Sequence, residues 1–391
     1  MAQFDLKTFN AEVFGKYLER VPRVRQNRLL EAGILRTRNA LRSMLSDQAG
    51  GNYITVPLLG LIDGEPLNYD GATDLTAVSS RTFTQSMVVV GRMKAWEEKD
   101  FSADITGEDF MDNVAKQVAD YWDEVDQDTL LAILKGVFSM SGAGEDAFVQ
   151  RHTFDVSAEA EPNVGATTLN SAIQRAAGAN KGIFRVVVCH SAVSTNLENL
   201  AAVEYLKQTD AQGVTRDLGL ASWNGRLLLI DDGVPVEEGY YACAQDAPGA
   251  LQVIADTGTP TGAQVKLATV KAADFFPADV AAEDYVVPGS RYVSYILGAG
   301  AFDFCDCGAK VPNEMWRDPK SAGGKETLIT RQRKLFAPRG ISFTAASMNS
   351  LSPTQAELEM GANWALAHDG QSEKGYIDHR AIPIARIISR G

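Results

Sequence analysis

The sequence predicts an α+β chain with projecting parts, and three observations lead there. Residues 107–138 run without proline and carry apolar side chains at helical spacing. Residues 50–97 hold two β-branched runs on either side of a polar, acidic turn region. Downstream, strand-like and helix-like segments alternate in the manner of a packed α+β domain.

Residues 1–49 read as a helical arm. Phe4, Phe9, Val13, Phe14, Tyr17 and Leu18 come first, then Leu29, Leu30, Ile34, Leu35, Leu41 and Leu45, with Pro22 dividing the halves. Such an arm has no core of its own, so its apolar face must dock elsewhere. Its charge is also distinctive. Lys16, Arg20, Arg23, Arg25, Arg28, Arg36, Arg38 and Arg42 meet only Glu19 and Glu31 within residues 16–42, in a chain of net charge −13. A basic arm on an acidic body suits contact with an anionic surface, the plain alternative being a solvated basic helix face.

Residues 50–97 read as an extended hairpin. ITVPLLGLI and RTFTQSMVVVGRM are the strands, and the tip between them carries Asp63, Glu65, Asp70 and Asp74 among turn-forming residues. Two strands alone are marginal in water. The hairpin therefore needs a surface, and a neighbouring subunit is expected to supply it through contact with this tip.

The helix of residues 107–138 follows. Its apolar positions include Met111, Tyr121 and Val137, with Val114, Val118, Trp122, Val125 and Ile133 as the expected core face. Glu108, Asp109 and Asp112 complement the positive end of the helix dipole, and Thr106 is placed to cap it. At ~1.5 Å per residue the rod is roughly 45 Å long. Asp120, Asp123, Glu124, Asp126 and Asp128 read as a solvated or inter-subunit face rather than a metal site, and Trp96 and Trp122 as anchors under the hairpin and along the rod.

Beyond a connector at 139–148, the pattern predicts a strand near 152–156, a helix at 166–179, a buried strand at 184–190 and a helix at 192–208. Together with the long helix these give a first domain, 98–214. A second, 215–340, opens on RLLLID (226–231), holds strands at 292–297 and 301–307, and contains an insertion at about 238–287. Residues 341–391 then supply a strand, a short helix after Pro353 and the strand IPIARII, which returns to the first domain.

Composition excludes several classes. No apolar run approaches the ~20 residues of a membrane span, and MAQFDLKTFN lacks a signal-peptide core, so synthesis in the cytosol is expected. Cys189, Cys243, Cys305 and Cys307 are too few and scattered for a disulfide framework, and Cys305 and Cys307 read as two thiols on one face of a strand. SGAGED (141–146) and GAGAF (298–302) lack dinucleotide-loop spacing. AGGKET (322–327) has Pro319 where a phosphate loop needs its first glycine and Glu326 where it needs Ser or Thr. His190 beside Ser191 reads as a strand end followed by a helix cap. No catalytic, cofactor-binding or metal residue is expected.

The order of parts and several phrases carry a resemblance. VGRMKAWEEKDF through AILKGVF (90–138), RLLLIDDGVPV (226–236), SRYVSYILGAGA (290–301), LFAPRGISFTAASMNSLSPTQAELEMGANW (335–364) and IPIARII (382–388) are the matching stretches. From about residue 50 onward the chain resembles the major capsid proteins of tailed double-stranded DNA phages, the Hong Kong 97-type coat fold. The resemblance implies an N-terminal arm, an extended hairpin loop, a spine helix, a peripheral domain and an inserted axial domain. It implies a hairpin that overlies the adjacent subunit, axial domains that meet around five-fold and six-fold axes as pentamers and hexamers, and an icosahedral shell around packaged double-stranded DNA. A portal, a possible cementing protein and, because the arm is short for a fused scaffold, a separate scaffolding protein are the expected partners. No membrane is. Residues 52–93 contain no lysine, so the Lys–Asn cross-link that some members launch from this hairpin is absent. An encapsulin-like compartment shell has the same fold and holds protein cargo instead. A soluble α/β enzyme would have to draw its catalytic groups from four histidines and scattered acids.

Overall fold

The computed structural model describes residues 30, 32–46, 52–60, 62, 65–66, 68–69, 81–101, 110–159, 161–200, 202–209, 215–321, 323–371 and 375–391. The chain divides into two units, Met1–Ser141 with Phe302–Ile377, and Gly142–Ala301 with Asp378–Gly391.

The first unit is built on a sheet ordered Leu35–Thr37, Phe302–Asp306, Lys325–Pro338, Thr82–Lys99, Tyr53–Leu59, with Asn313–Asp318 also paired to Lys325–Pro338. Thr82–Lys99 is its longest strand. Its first part pairs with Tyr53–Leu59 (Leu59 opposite Thr82, Tyr53 opposite Val88), and its second with Lys325–Pro338 (Val89 opposite Leu335, Lys99 opposite Lys325). Strand alternation sends Arg92, Lys94 and Trp96 to one face and Met87 and Val89 to the other. The second face is covered by the helix Asn39–Ser46, whose Leu41 and Leu45 pack with Ile54, Met87, Val89, Leu335 and Ala337. Cys305 and Cys307 lie in this same cluster, and burial pushes the Cys307 thiol up to about 12.

The helix Phe110–Phe138 lies along the other face. Trp122 Nε1 donates to Thr330 Oγ1 at 3.1 Å, Tyr121 stands edge-on to both Trp96 and Trp122, and Asp126 accepts from Gln332 (2.9 Å) and Lys334. Ile133 is fully buried, whereas Val114, Val118, Trp122 and Val125 are half-buried. Asp126 departs from the solvated face expected of it. It is buried, and burial raises its carboxyl against the lowering effect of Lys334 and Gln332. The last turns of the helix pack on Gln355–Glu359, a short helix closed by a Thr354–Glu357 capping box, and on Trp364, whose indole donates to the Leu358 carbonyl at 2.7 Å.

The second unit centres on Tyr285–Gly298. The inner part of this strand pairs with Ile384–Ser389 and Phe184–Cys189, and its outer part with Val236–Ala242 and Leu251–Ile254. The range read as an insertion is thus a small module on one end of a shared strand, with Val253, Val265, Val270, Val280 and Val286 as its core. The helices Thr168–Ala177 and Ser191–Asn199 cover one face of the inner sheet through Leu169, Ile173, Val193 and Leu197. Asn224 and Gly225 both take positive φ (48° and 74°), the two-residue turn that joins Thr215–Trp223 to Arg226–Ile230.

Several expectations are corrected here. Residues 35–37 form a strand rather than helix, because Gly33 at φ 75° turns the chain and Ile34 is buried beside the sheet. The expected connector at 139–148 is largely the helix Ala143–His152, with Glu145 and Asp146 in its first turn and Arg151 in its last, as the helix dipole favours. The helix expected over 192–208 stops at Asn199, and Val203–Thr209 pairs with Thr215–Trp223 instead. Arg226–Ile230 opens no new unit, since it lies parallel to Phe184–Cys189 in one sheet. The unit boundaries move for the same reason. The long helix groups with the hairpin and with 302–377, while the strands and helices of 142–209 group with 215–301 and 378–391.

One histidine pair in the second unit, His152 buried and His379 half-buried, predicts a pH response. His152 stacks on Phe148, its Nδ1 lies 2.7 Å from the Ile384 carbonyl, and its Nε2 lies 3.2 Å from Nδ1 of His379. Burial, with help from His379 and Arg151, holds His152 down to about 4 from its ordinary 6.5; Asp378 and Arg380 act on His379 in opposite senses. The folded pKa is the lower one, so the unfolded chain binds the extra proton. Stability that is complete above pH 6.5 therefore falls as pH drops towards 4, by roughly 3 kcal/mol in all. Urea midpoints measured across that window should fall in the native chain and flatten in His152→Gln.

Candidate assembly surface

The first unit exposes what a self-contained protein would bury. The hairpin leaves the sheet past Leu59, and Leu59, Ile62 and Tyr69 are 86%, 91% and 101% exposed. Glu65 stands exposed beside them, while Asp63, Asp70 and Asp74 lie outside the described residues. At the other end of the same sheet, Met93, Met315 and Trp316 are exposed on strands that pair with Lys325–Pro338. Scattered exposed apolar residues are ordinary, but contiguous ones on projecting elements mark an interaction surface.

The root of the hairpin is fastened closely. Tyr53 Oη donates to the Phe343 carbonyl at 2.8 Å, and fully buried Gln85 donates to the carbonyls of Pro338 (2.8 Å) and Ile341 (3.1 Å). Asn52 Nδ2 donates to the Leu351 carbonyl, Gly91 N to Ser352 Oγ, and Arg92 Nη1 to the Pro353 carbonyl. Behind this loop Glu357 is held down to about 2 by hydrogen bonds from Ser350, Thr354 and Asn349. The surface is therefore a stiff base carrying projecting apolar side chains. It can bind by contact.

The arm is part of the same unit. Arg36 and Arg38 do not stand free, because both close on Asp303, whose side chain is 1% exposed, at 2.6 and 3.0 Å. Arg42 is exposed, and Arg20, Arg23, Arg25 and Arg28 lie outside the described residues, as do Thr106 and the residues 107–109 read as the helix start. Sequence reading missed Asp303. Its only signal is an acid at the centre of the otherwise apolar run AFDFC, beside which strand pairing brings Arg36 (opposite Asp303) and Arg38.

His190 and Ser191 have structural uses. His190, not Ser191, caps the helix Ser191–Asn199, accepting from Ala192 N at 3.1 Å, and Ser191 N donates to Asp232. Ser191 Oγ lies 3.5 Å from that same Nδ1, which the cap already occupies. Among the described residues no group of three or more His, Cys, Asp or Glu side chains is placed to hold a metal ion. No helix among them is long and apolar enough to cross a membrane.

Comparison with solved structures gives this architecture its class. The capsid of Ralstonia phage GP4 matches with a TM-score of 0.55 at 10% identity, over 100% of this chain and 98% of that one. The fold is the Hong Kong 97-like coat fold. In sequence, the chain is 24% identical over 339 residues to the major capsid protein of Bacillus phage SPP1, covering 87% of this chain and 86% of that protein. No family model matches. Fold and near full-length sequence likeness agree on a phage capsid protein that associates with itself to form the virion shell, a structural role.

Proposed function

We propose that this chain is the major capsid protein of a tailed phage and closes, as pentamers and hexamers, into an icosahedral shell around packaged double-stranded DNA. The observation that carries the reading is the hairpin, anchored at its root by hydrogen bonds to its own unit while Leu59, Ile62 and Tyr69 stand in water. Such a segment completes its burial only on another copy, and repeated heterologous contacts of this kind close into rings and shells. In this reading the first unit is the peripheral domain with its spine helix, and the second unit is the axial domain. The residues of the hairpin tip, Asp63, Glu65, Asp70 and Asp74, border the contact.

The acidic body suits an inner wall to which DNA phosphates do not adhere. Arg36 and Arg38 are engaged by Asp303, so any contact of the arm with DNA or scaffold falls to Arg20, Arg23, Arg25, Arg28 and Arg42. A separate scaffolding protein and a portal complete the assembly, and a cementing protein or non-covalent contacts replace the missing lysine cross-link. Electron microscopy of the expressed chain, alone and with the scaffold gene of its genome, tests this. Shells of one size are expected only with the scaffold, and particles from the native source should hold double-stranded DNA. A soluble monomer under both conditions, or particles filled with protein cargo, would refute it.

A further inference from the structure

The strand Thr82–Lys99 changes partner along its length. Its pairing with Tyr53–Leu59 ends at Val88, and a last cross-strand bond runs from Val89 N to the Asn52 carbonyl at 2.7 Å. Beyond it the strand continues against Lys325–Pro338 alone, on its other edge. The next amide on the vacated edge is that of Gly91, a residue without a side chain to stiffen it. Towards the tip the ribbon is tied again, by Gln85 to the Pro338 and Ile341 carbonyls and by Ser86 N to Ser342 Oγ, so whatever meets Gly91 is the innermost of its fastenings.

The loop 349–354 meets that point. Ser352 Oγ accepts from Gly91 N at 2.9 Å, the Pro353 carbonyl accepts from Arg92 Nη1 at 2.8 Å, and the Leu351 carbonyl accepts from Asn52 Nδ2 at 3.1 Å. Three consecutive residues thus hold both roots of the hairpin. The loop itself is held from behind by one side chain. The Glu357 carboxylate accepts from Asn349 N (2.8 Å), Ser350 N (3.1 Å), Thr354 N (2.8 Å), Thr354 Oγ1 (3.0 Å) and Ser350 Oγ. Bonds to an ionised acceptor are stronger than neutral ones, and a carboxylate can take several at once. A capping box needs only one of these contacts, that from Thr354 N, together with the bond Glu357 N donates to Thr354 Oγ1. The rest fix the shape of the loop.

We propose that the loop 349–354 is a clamp that sets the angle at which the hairpin leaves the sheet, with Glu357 as its positioning residue, and that this angle sets the curvature at which copies join. The curvature half rests on the hairpin being the arm that joins copies, as proposed above. The clamp half stands on the geometry of the single chain. Glu357 touches no other copy in this account; it acts through Ser352 and Pro353.

Amide hydrogen exchange on the unassembled chain, paired with particle sizing by electron microscopy, tests both halves. Glu357→Gln keeps the shape but cannot accept all of these bonds. It should speed exchange at Asn349 and Ser350 and, through the clamp, at Gly91 by about tenfold. Ser352→Ala removes only the outward bond, and should speed Gly91 while leaving Asn349 and Ser350 as they were. Both variants should widen the distribution of particle sizes. Val253→Ala, a fully buried truncation in the separate core of the second unit, should lower the melting temperature without changing Gly91 exchange or particle size. Should Glu357→Gln fail to fold, Ser352→Ala carries the same test. Unchanged Gly91 exchange in a folded variant overturns the clamp. Loosened Gly91 with particles of native size overturns the curvature half. If the native chain forms no particles, the curvature half falls with the assembly reading, while Gly91 exchange still decides the clamp.

Discussion

Replacing Gly136 by alanine will destabilise the first unit by about 3–5 kcal/mol, although alanine is the better helix former. A Cβ at this position would overlap the Leu358 carbonyl oxygen and lie 2.5 Å from Trp364 Nε1. The nearer obstacle is backbone, held by the short helix Gln355–Glu359, and the other is an indole already bonded to that same carbonyl. Neither can step aside cheaply. The ~1 kcal/mol that alanine gains in helix propensity is therefore outweighed by overpacking and by loss of the indole bond. Gly361 meets the same contact from the other side, where a Cβ would overlap Ser139 of the helix's exit. Chemical denaturation of Gly136→Ala and Gly361→Ala should show large losses in midpoint, and alanine at Gly182, where nothing lies within 4 Å, should show none.

The double variant Arg36→Ala/Arg38→Ala will be nearly as damaging, at about 3–5 kcal/mol, because it leaves a carboxylate buried without a counter-charge. The asymmetry between partners is the test. Asp303 is 1% exposed, whereas Arg36 and Arg38 are 45% and 31% exposed and can rehydrate if the acid is removed. Asp303→Asn alone should therefore cost much less than the double arginine variant. Adding Asp303→Asn to that double variant should restore most of the loss. Additive losses across this cycle would show that the arginines act by packing rather than by charge.

The long elements were legible because their signals are local. The period of residues 110–138 and the β-branched runs flanking the hairpin tip need no tertiary information, and the helix and hairpin stand where they were expected. The candidate surface was legible in outline only. Leu59 lies on a strand the pattern identified, but Ser352 and Pro353 reach the hairpin root at Gly91 and Arg92 from 261 positions away in sequence. Non-local partners also decided the misreadings. Val203–Thr209 follows its hairpin partner rather than the helix before it, and Arg226–Ile230 follows the parallel neighbour that places it in the second unit. Asp126 looked like one more acid on a wet helix face until Lys334 and Gln332 met it. Arg36 and Arg38 looked like free cations for want of Asp303, far along the chain.

The most direct measurement compares the native chain with a variant in which residues 61–80 are replaced by a short Gly–Asn turn, by sedimentation velocity under assembly conditions. The native chain should sediment as capsomers and shells, and the shortened chain, melting cooperatively as a folded protein, should remain a small species at every concentration. Shells from the shortened chain, or a stable lone monomer from the native one at high concentration, would contradict the claim that the hairpin joins the copies.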